Sequence, residues 1–448
     1  MKILFINAID HAKPIQTQFP PLGIGYLVSS LREMYGKDTI EFKVVNGEVE
    51  QAIQDFQPTL IGISSVSQNF NRAVFYASLA KAHDLPVICG GVHISMMPSS
   101  LTDDMDVGVI GEGEGTICDL IGLYLDRGVF TPESLQSVKG IIYHDNGRLV
   151  TTGKRRPVEC LDSLPPPARD LFLVQSRTYI FTARGCPFKC TFCASTRFWQ
   201  GVRMFSPEYI VSEIQQLVER DGVDHICIYD DIFPLSAKRI RDITSGLREL
   251  GLLGKVKFEC SIRANLVSDR IIALLKVMGV KEMGLGLESG SNKSLYYLKG
   301  NDVDVEDNAE AVRIIREHGI SAHVSFILGS PYETMAEAMM TYRFVKQNRL
   351  LSFDLYLLTP FPGTPVWDYA LLRGLVSDDM DWSSLDVAYS GRDDSVIVSE
   401  HLTKAEIDGL FARFARLRKR MMSYHLIKIG LRHPERIPGF VFRKMRGD

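Results

Sequence analysis

Three cysteines crowd the run Arg184-Gly185-Cys186-Pro187-Phe188-Lys189-Cys190-Thr191-Phe192-Cys193. Their spacing is C-x3-C-x2-C, and no fourth cysteine follows at ligand spacing. Iron–sulfur clusters are held by cysteine thiolates, four of them for a fully protein-held [4Fe-4S] cube. A cube held by three leaves one iron open, much as a catalytic metal site keeps a position for substrate. That open iron is the reason to expect an enzyme rather than an electron carrier. Zinc would need a fourth ligand from His225, Cys227 or Cys160, none of which sits in a paired motif. A disulfide knot suits short, cysteine-dense secreted chains, whereas this one has 8 cysteines in 448 residues. Cys186, Cys190 and Cys193 are therefore the expected metal ligands.

The spacing, with aromatic Phe192 just before the last cysteine, also resembles the cluster loop of radical S-adenosylmethionine (SAM) enzymes. The resemblance implies a [4Fe-4S] cluster whose open iron chelates the amino and carboxylate groups of SAM. Electron transfer would then cleave SAM to a 5′-deoxyadenosyl radical, with a reductant such as flavodoxin or ferredoxin as partner.

Length bounds the chain at two or three domains. Hydrophobic content of 45%, charged content of 23% and a net charge of −3 are ordinary for a soluble protein and give no global pull toward nucleic acid. Met1–Ile6 reads as a buried strand rather than a signal peptide, and no run approaches the ~20 apolar residues that span a bilayer. The scattered Cys89, Cys118, Cys160, Cys227 and Cys260 read as small buried hydrophobes. A reducing cytoplasm is the expected location.

Residues 1–140 alternate short apolar strands (Lys2–Asn7, Thr59–Ser64, Val87–Cys89, Val107–Ile110) with helices (Ile24–Met34, Arg72–Ala82). Such alternation predicts βαβ units in a doubly wound α/β sheet, whose ligands lie beyond the carboxyl ends of the strands. The loops expected there carry Phe19, Pro20, Pro21, Leu22 and Gly23, then Ser64 and Ser65, then Gly90, Gly91 and His93, then Gly111, Glu112 and Gly113. Glycine lets backbone approach a bulky ligand. No G-x-G-x-x-G follows the first strand, so a dinucleotide site has little support. Together the loops resemble the Rossmann-like cobalamin-binding domain found upstream of many radical SAM barrels, which implies cobalamin (B12) contacts at these residues. The D-x-H-x-x-G motif that supplies a lower-axial histidine elsewhere is missing, since Asp10-His11-Ala12 does not match it. His93 fits either a polar contact near the corrin or an ordinary hydrogen-bonded loop histidine.

Residues 141–178 read as a connector, with a hairpin about Asn146-Gly147 and an extended Leu164-Pro165-Pro166-Pro167 link. Residues 179–375 then offer six strands (Tyr179–Ala183, His225–Tyr229, Lys257–Cys260, Glu282–Leu287, Ser321–Ile327, Asp354–Thr359) separated by helices. Six repeats predict a partial (β/α)6 barrel resembling the radical SAM core, with chemistry at the strands' carboxyl ends. The resemblance implies SAM contacts there: Asp230 and Asp231 toward the amino group, Arg263 toward the carboxylate, and Glu288-Ser289 toward the ribose. Phe192 and the Gly329–Glu333 segment would lie on the adenine side. A helix N-cap aspartate is also common at such a strand end, and one of the two fits that role alone.

Residues 376–448 read as a helical C-terminal extension, mainly Lys404–Leu431, with Leu410, Phe411, Phe414, Leu417, Met421 and Met422 at helical spacing. Arg413, Arg416, Arg418, Lys419, Arg420 and Lys428 make it basic, and residues 401–448 carry about +8. Two readings fit: a solvated face packed on the barrel, or a peripheral contact with anionic lipid. No nucleic-acid partner is expected.

The family resemblance implies a cobalamin-dependent radical SAM C-methyltransferase, in which a deoxyadenosyl radical activates a substrate carbon and methylcobalamin donates the methyl group. The alternative is a B12-dependent radical rearrangement or cyclisation without methyl transfer. Methylthiolation would ask for a second cysteine trio, which Cys89 and Cys118 cannot supply. The substrate, a small molecule or lipid, and the catalytic residues that touch it have no diagnostic motif.

Overall fold

The structure, a computed structural model, describes residues 1–17 and 20–432, with side chains of the last helix described through Tyr424. Phe19 of the first candidate loop and Lys428 of the basic helix lie outside these described side chains.

The first sheet contains β1 (Lys2–Ala8), β2 (Glu41–Val45), β3 (Leu60–Ser65), β4 (Val87–Gly90), β5 (Val107–Val109), β6 (Ile141–Asp145) and β7 (Arg148–Thr151), in the order β2-β1-β3-β4-β5-β6-β7. The first five are parallel. Burial on both faces explains the unbroken apolar run at the chain start. Leu4 and Ile6 point to one face, against Val49, Ile53 and Phe70. Ile3 and Phe5 point to the other, against Val28, Leu31, Ile117 and Ile121. β2 and the helix Val49–Phe56 escaped the sequence reading because both are short and interleaved with charge. The hairpin expected in the connector does form, but β6 pairs antiparallel with β5 and so extends the first sheet instead of standing apart.

The rest of the connector is docked. Ala168 N–H donates to Gly25 O at 3.1 Å, and Ser29 Oγ donates to Pro166 O at 2.6 Å. Arg169 Nη2 donates to Glu213 Oε1 at 2.7 Å and to Tyr179 O at 2.8 Å, fully inside the protein.

The chain then forms β8 (Arg177–Ile180), β9 (Ala183–Arg184), β10 (Arg203–Met204), β11 (His225–Ile228), β12 (Lys257–Ile262), β13 (Val280–Glu288), β14 (Ser321–Leu328) and β15 (Phe353–Leu357). Six of these make a wholly parallel sheet in the order β15-β14-β13-β12-β11-β8, an open partial barrel. Alternate residues such as Val324, Phe326 and Leu328 are buried under helices. The intervening His323 and Ser325 face inward and line a cavity. Capping residues start the covering helices where expected: Ser206, Ser236 and Ser268 each accept the N–H of the third helical residue. β9 and β10 form a two-residue antiparallel ladder closing the base of the cysteine loop.

The helical character expected for residues 376–448 begins only at Lys404. Before it, an Asp- and Ser-rich stretch without helical periodicity returns to the N-terminal domain. There Trp382 stacks on Trp367 at 5.7 Å and meets His93 edge-on at 4.4 Å. The helix Lys404–Arg432 buries Leu410, Phe414 and Leu417. Its Arg418 donates to Phe353 O, and Arg413 lies over the Tyr342 ring, so part of its basic face packs on the barrel. Among the described residues, no helix is long and apolar enough to cross a membrane.

Glu213→Ala would leave the buried Arg169 guanidinium without its counter-charge. We expect it to lose about 3–5 kcal/mol in chemical denaturation, as breaking one side of a buried pair typically does. A loss below about 1 kcal/mol would show that the pair does not hold the connector to the barrel.

Candidate active site

Two cavities lie at the carboxyl ends of the two sheets. The one inside the partial barrel, of about 360 Å³, is walled by Cys186, Cys190, Cys193, Phe192, Asp231, Arg263 and Glu288, together with Lys299, His323, Asp354 and Tyr356. The three thiols are half-buried and free. Burial raises all three pKa values, Cys193 to about 11, while Lys299 and Arg263 pull Cys190 back down. Ligation must therefore displace protons. Among the described residues no three His, Cys, Asp or Glu side chains converge on one metal ion.

Adjacent residues at a strand end point opposite ways, and this separates the candidate pairs. Asp231 faces the cavity and accepts from Ser195 Oγ. Asp230 does not. It turns back under the cysteine loop and accepts from Thr182 N at 2.6 Å, Ala183 N at 3.1 Å and Thr182 Oγ1. Asp230 is thus an anchor of the loop, neither a ligand contact nor a helix cap; the next helix is capped by Ser236. Glu288 faces the cavity with φ of 60°, an uncommon conformation for a non-glycine residue and one found where a site demands it. Gly286 makes room, since a Cβ there would lie 2.2 Å from Glu288 Oε1. Ser289 points away and is fully buried against Thr341 Oγ1 and Ser291 N, so it is a structural residue and not a ribose contact. Gly329 is likewise outside the wall. Its N–H donates to Glu333 Oε2 at 2.7 Å, which fixes the turn at φ of +82°.

Arg263 supplies buried donors aimed at this space. Its guanidinium stacks on Phe188 of the cysteine loop at 3.9 Å; Nε makes no hydrogen bond, and Nη1 has only Asp302 Oδ2 at 3.6 Å. Buried donors of this kind call for an acceptor, and a carboxylate fits. Lys299 was not anticipated. It sits at the end of the helix Asn292–Lys299, donates to Gly286 O and lies 3.4 Å from Glu288 Oε1. Also unanticipated was the far wall, where His323 Nε2 meets Asp354 Oδ2 at 2.7 Å and Tyr356 donates to the same oxygen at 3.3 Å. The polar residues at every second position of β14 were the available signal.

The second cavity, of about 330 Å³, opens over the first sheet. Pro21, Leu22, Gly23, Ser64, Ser65, Gly90, Gly91, Gly111, Glu112 and Gly113 all line it. Tyr179, Phe181, Arg184, Phe198 and Trp199 close it from the barrel side. A Cβ at Gly23 or Gly111 would meet nothing within 4 Å, so these glycines leave open floor for a broad ligand. Gly91 is required by the backbone itself: with φ of +101°, a Cβ would lie 2.4 Å from Ser65 O. His93 is not in this wall. It is fully buried between Phe70 and Trp382, with Nδ1 at 3.1 Å from Ser67 Oγ and Nε2 at 2.9 Å from Ser100 Oγ. Burial lowers its pKa to about 3. His93 is a neutral core residue, not a cofactor contact, and among the described residues no histidine lines the cavity.

Comparison with known proteins fits both cavities. Residues 180–345 match the radical SAM superfamily and residues 12–121 match the B12 binding domain. The chain belongs to the cobalamin-dependent radical SAM enzymes. The two domains of this family bring a [4Fe-4S] cluster, SAM and cobalamin. An uncharacterized methyltransferase of Pyrococcus horikoshii is 28% identical over 95% of this chain and 93% of its own length. The anaerobic magnesium-protoporphyrin IX monomethyl ester cyclase of Cereibacter sphaeroides is 25% identical over 100% of this chain and 74% of its own. In fold, the chain is similar to the radical SAM methyltransferase TsrM from Kitasatospora setae, with a TM-score of 0.69 at 18% identity over 84% of this chain and 77% of that one.

Alanine at Cys186, Cys190 or Cys193 should each abolish iron and sulfide retention after anaerobic reconstitution, whereas Cys227→Ala, outside the cavity, should retain both. Iron lost equally from Cys227→Ala would place the cluster elsewhere. A second expectation concerns pH. Burial pushes Glu333 up to about 7 from an ordinary 4.5. A folded-state pKa above the unfolded one stabilises the fold fully below the unfolded value, and that stability is lost as pH rises through the folded value. Glu333→Gln should therefore flatten the decline in Tm between about pH 5 and pH 8. An unchanged slope would assign the decline to other groups.

Proposed function

We propose that this chain is a cobalamin-dependent radical SAM C-methyltransferase acting on a carbon of a small-molecule or lipid substrate. One observation carries the reading: the cysteine loop walls both cavities, with Cys186, Cys190 and Cys193 facing one and Arg184, Phe198 and Trp199 facing the other. When bound, the cluster supplies reductive cleavage of SAM to a carbon radical, and cobalamin supplies the methyl group.

The chain's own residues divide the work. Cys186, Cys190 and Cys193 hold the cluster. The Arg263 guanidinium would take the SAM carboxylate, Asp231 its ammonium and Glu288 the ribose hydroxyls, with Lys299 holding Glu288 in place and partly opposing the rise in its pKa that burial causes. Phe192 would pack beside the adenine. Pro21–Gly23, Ser64-Ser65, Gly90-Gly91 and Gly111–Gly113 would cradle the corrin, and among the described residues no histidine lines that cavity. The wall formed by His323, Asp354 and Tyr356 would face the substrate. An external reductant completes the electron supply, and eight free thiols suit a reducing cytoplasm. The exposed Arg416, Lys419 and Arg420 supply a cationic face suited to an anionic membrane surface.

The likeness of the whole of this chain to 74% of a cyclase's length supports a second reading, ring closure without methyl transfer. Product counting separates the two. Cluster- and cobalamin-loaded protein, given reductant and SAM, should release S-adenosylhomocysteine as well as 5′-deoxyadenosine, with the methyl of labelled SAM in the product. Release of 5′-deoxyadenosine without any S-adenosylhomocysteine would overturn methyl transfer in favour of cyclisation.

A further inference from the structure

The excursion that carries all three cysteines leaves and rejoins the barrel through β9 and β10, where Arg184 stands directly opposite Arg203. Like charges opposed across an antiparallel pair repel. Here both turn to one carboxylate from the other domain. Arg184 Nη1 donates to Glu112 Oε2 at 3.1 Å, and Arg203 Nη2 donates to Glu112 Oε1. The Val158 N–H adds a third bond to Oε2 at 3.1 Å. Arg184 uses its remaining Nη2 on Glu114 Oε1 and lies between the rings of Tyr26 and Trp199, at 5.5 and 5.2 Å. The arrangement is largely buried: the side chains of Arg184, Glu112, Glu114 and Arg203 are 6%, 7%, 8% and 15% exposed.

Both ends of this network are parts of ligand walls. Glu112 lies between Gly111 and Gly113 in the lining of the glycine-loop cavity. Arg184 precedes Gly185 and Cys186, and Gly185 has no slack, because a Cβ there would lie 2.1 Å from Gly201 O. A shift of the Gly111–Gly113 loop must therefore move both feet of the cysteine excursion together.

We propose that the Glu112–Arg184–Arg203 cluster couples the two cofactor sites. Cobalamin in the glycine-loop cavity fixes Glu112, Glu112 fixes the base of the cysteine loop, and the cluster is held more tightly. Linkage makes the effect reciprocal, so cluster loading tightens cobalamin binding by the same factor. Glu112, Arg184 and Arg203 act here as positioning residues. The inference rests on cobalamin occupying that cavity.

The test is hydroxocobalamin affinity, read by equilibrium dialysis and absorbance on the full chain, with and without the reconstituted cluster. Wild-type protein should bind at least about five-fold more tightly with the cluster present, and its iron should resist a chelator longer when cobalamin is bound. Glu112→Gln should bring that ratio below about two-fold. Equal affinities in the wild type would overturn the coupling. So would a Glu112→Gln protein that binds more weakly in both states but keeps the wild-type ratio, the behaviour of a merely structural residue. Should Glu112→Gln fail to fold, Arg203→Met, which leaves Arg184 on both glutamates, takes its place, and an undiminished ratio there would also overturn the proposal. Failure of hydroxocobalamin to bind in any state would instead refute the cavity assignment beneath it.

Discussion

Two guanidiniums face each other at the foot of the cysteine loop, and one buried carboxylate from the opposite domain separates them. Without Glu112 the ladder β9–β10 would bring two positive charges together in a site from which water is largely excluded, a far costlier state than in solvent. The barrel's most chemically loaded segment is therefore not closed by the barrel itself. It is closed by a residue from the N-terminal domain, so the two domains make one catalytic unit. A chain that lost its first sheet would keep its cysteines without the counter-charge that holds their loop.

Other ties act in the same direction by different physics. Tyr179, on the first barrel strand, donates to Pro20 O, and Leu22 N–H returns to its hydroxyl at 3.4 Å. That pair joins the first glycine-containing loop to β8. On the far side, Trp382 brings the post-barrel segment against His93 and Phe70. Burial keeps His93 uncharged at any ordinary pH, so this contact behaves as an aromatic stack and adds no titrating charge. A polar bolt, a hydroxyl bridge and an aromatic pile thus tie the N-terminal domain to the rest of the chain at three places.

The parts of this design that depend on local spacing were legible in the sequence. The cysteine trio, the parallel strands and most of the barrel helices follow from periodicity and caps that reside within a few neighbouring residues. The helix Asp269–Met278, for example, runs between a serine cap at Ser268 and Gly279 at its end, both local signals in the sequence. Pairs of adjacent polar residues were not legible. Asp230-Asp231 and Glu288-Ser289 each look like two ligands, but the period of a strand sends one member into the cavity and the other behind the sheet. Lys299 and the His323–Asp354–Tyr356 wall were missed because each is assembled from separate elements by the barrel's closure. His93 fits two readings from sequence alone, and its hydrogen bonds to Ser67 and Ser100 match the second, although its burial depends on Trp382, far along the chain.

Glu112 shows why motif and role need not coincide. Its loop resembles a ligand-binding loop, and its glycines do line the cavity. Yet both carboxylate oxygens are already committed, to Arg184, Arg203 and the Val158 N–H. A carboxylate with its acceptor sites engaged and its charge matched by two guanidiniums has little left to offer a ligand. The loop's glycines serve the cavity by backbone shape, while the acidic side chain between them serves the cysteine loop by charge. One short segment thereby shapes the glycine-loop cavity and braces the loop whose cysteines wall the other.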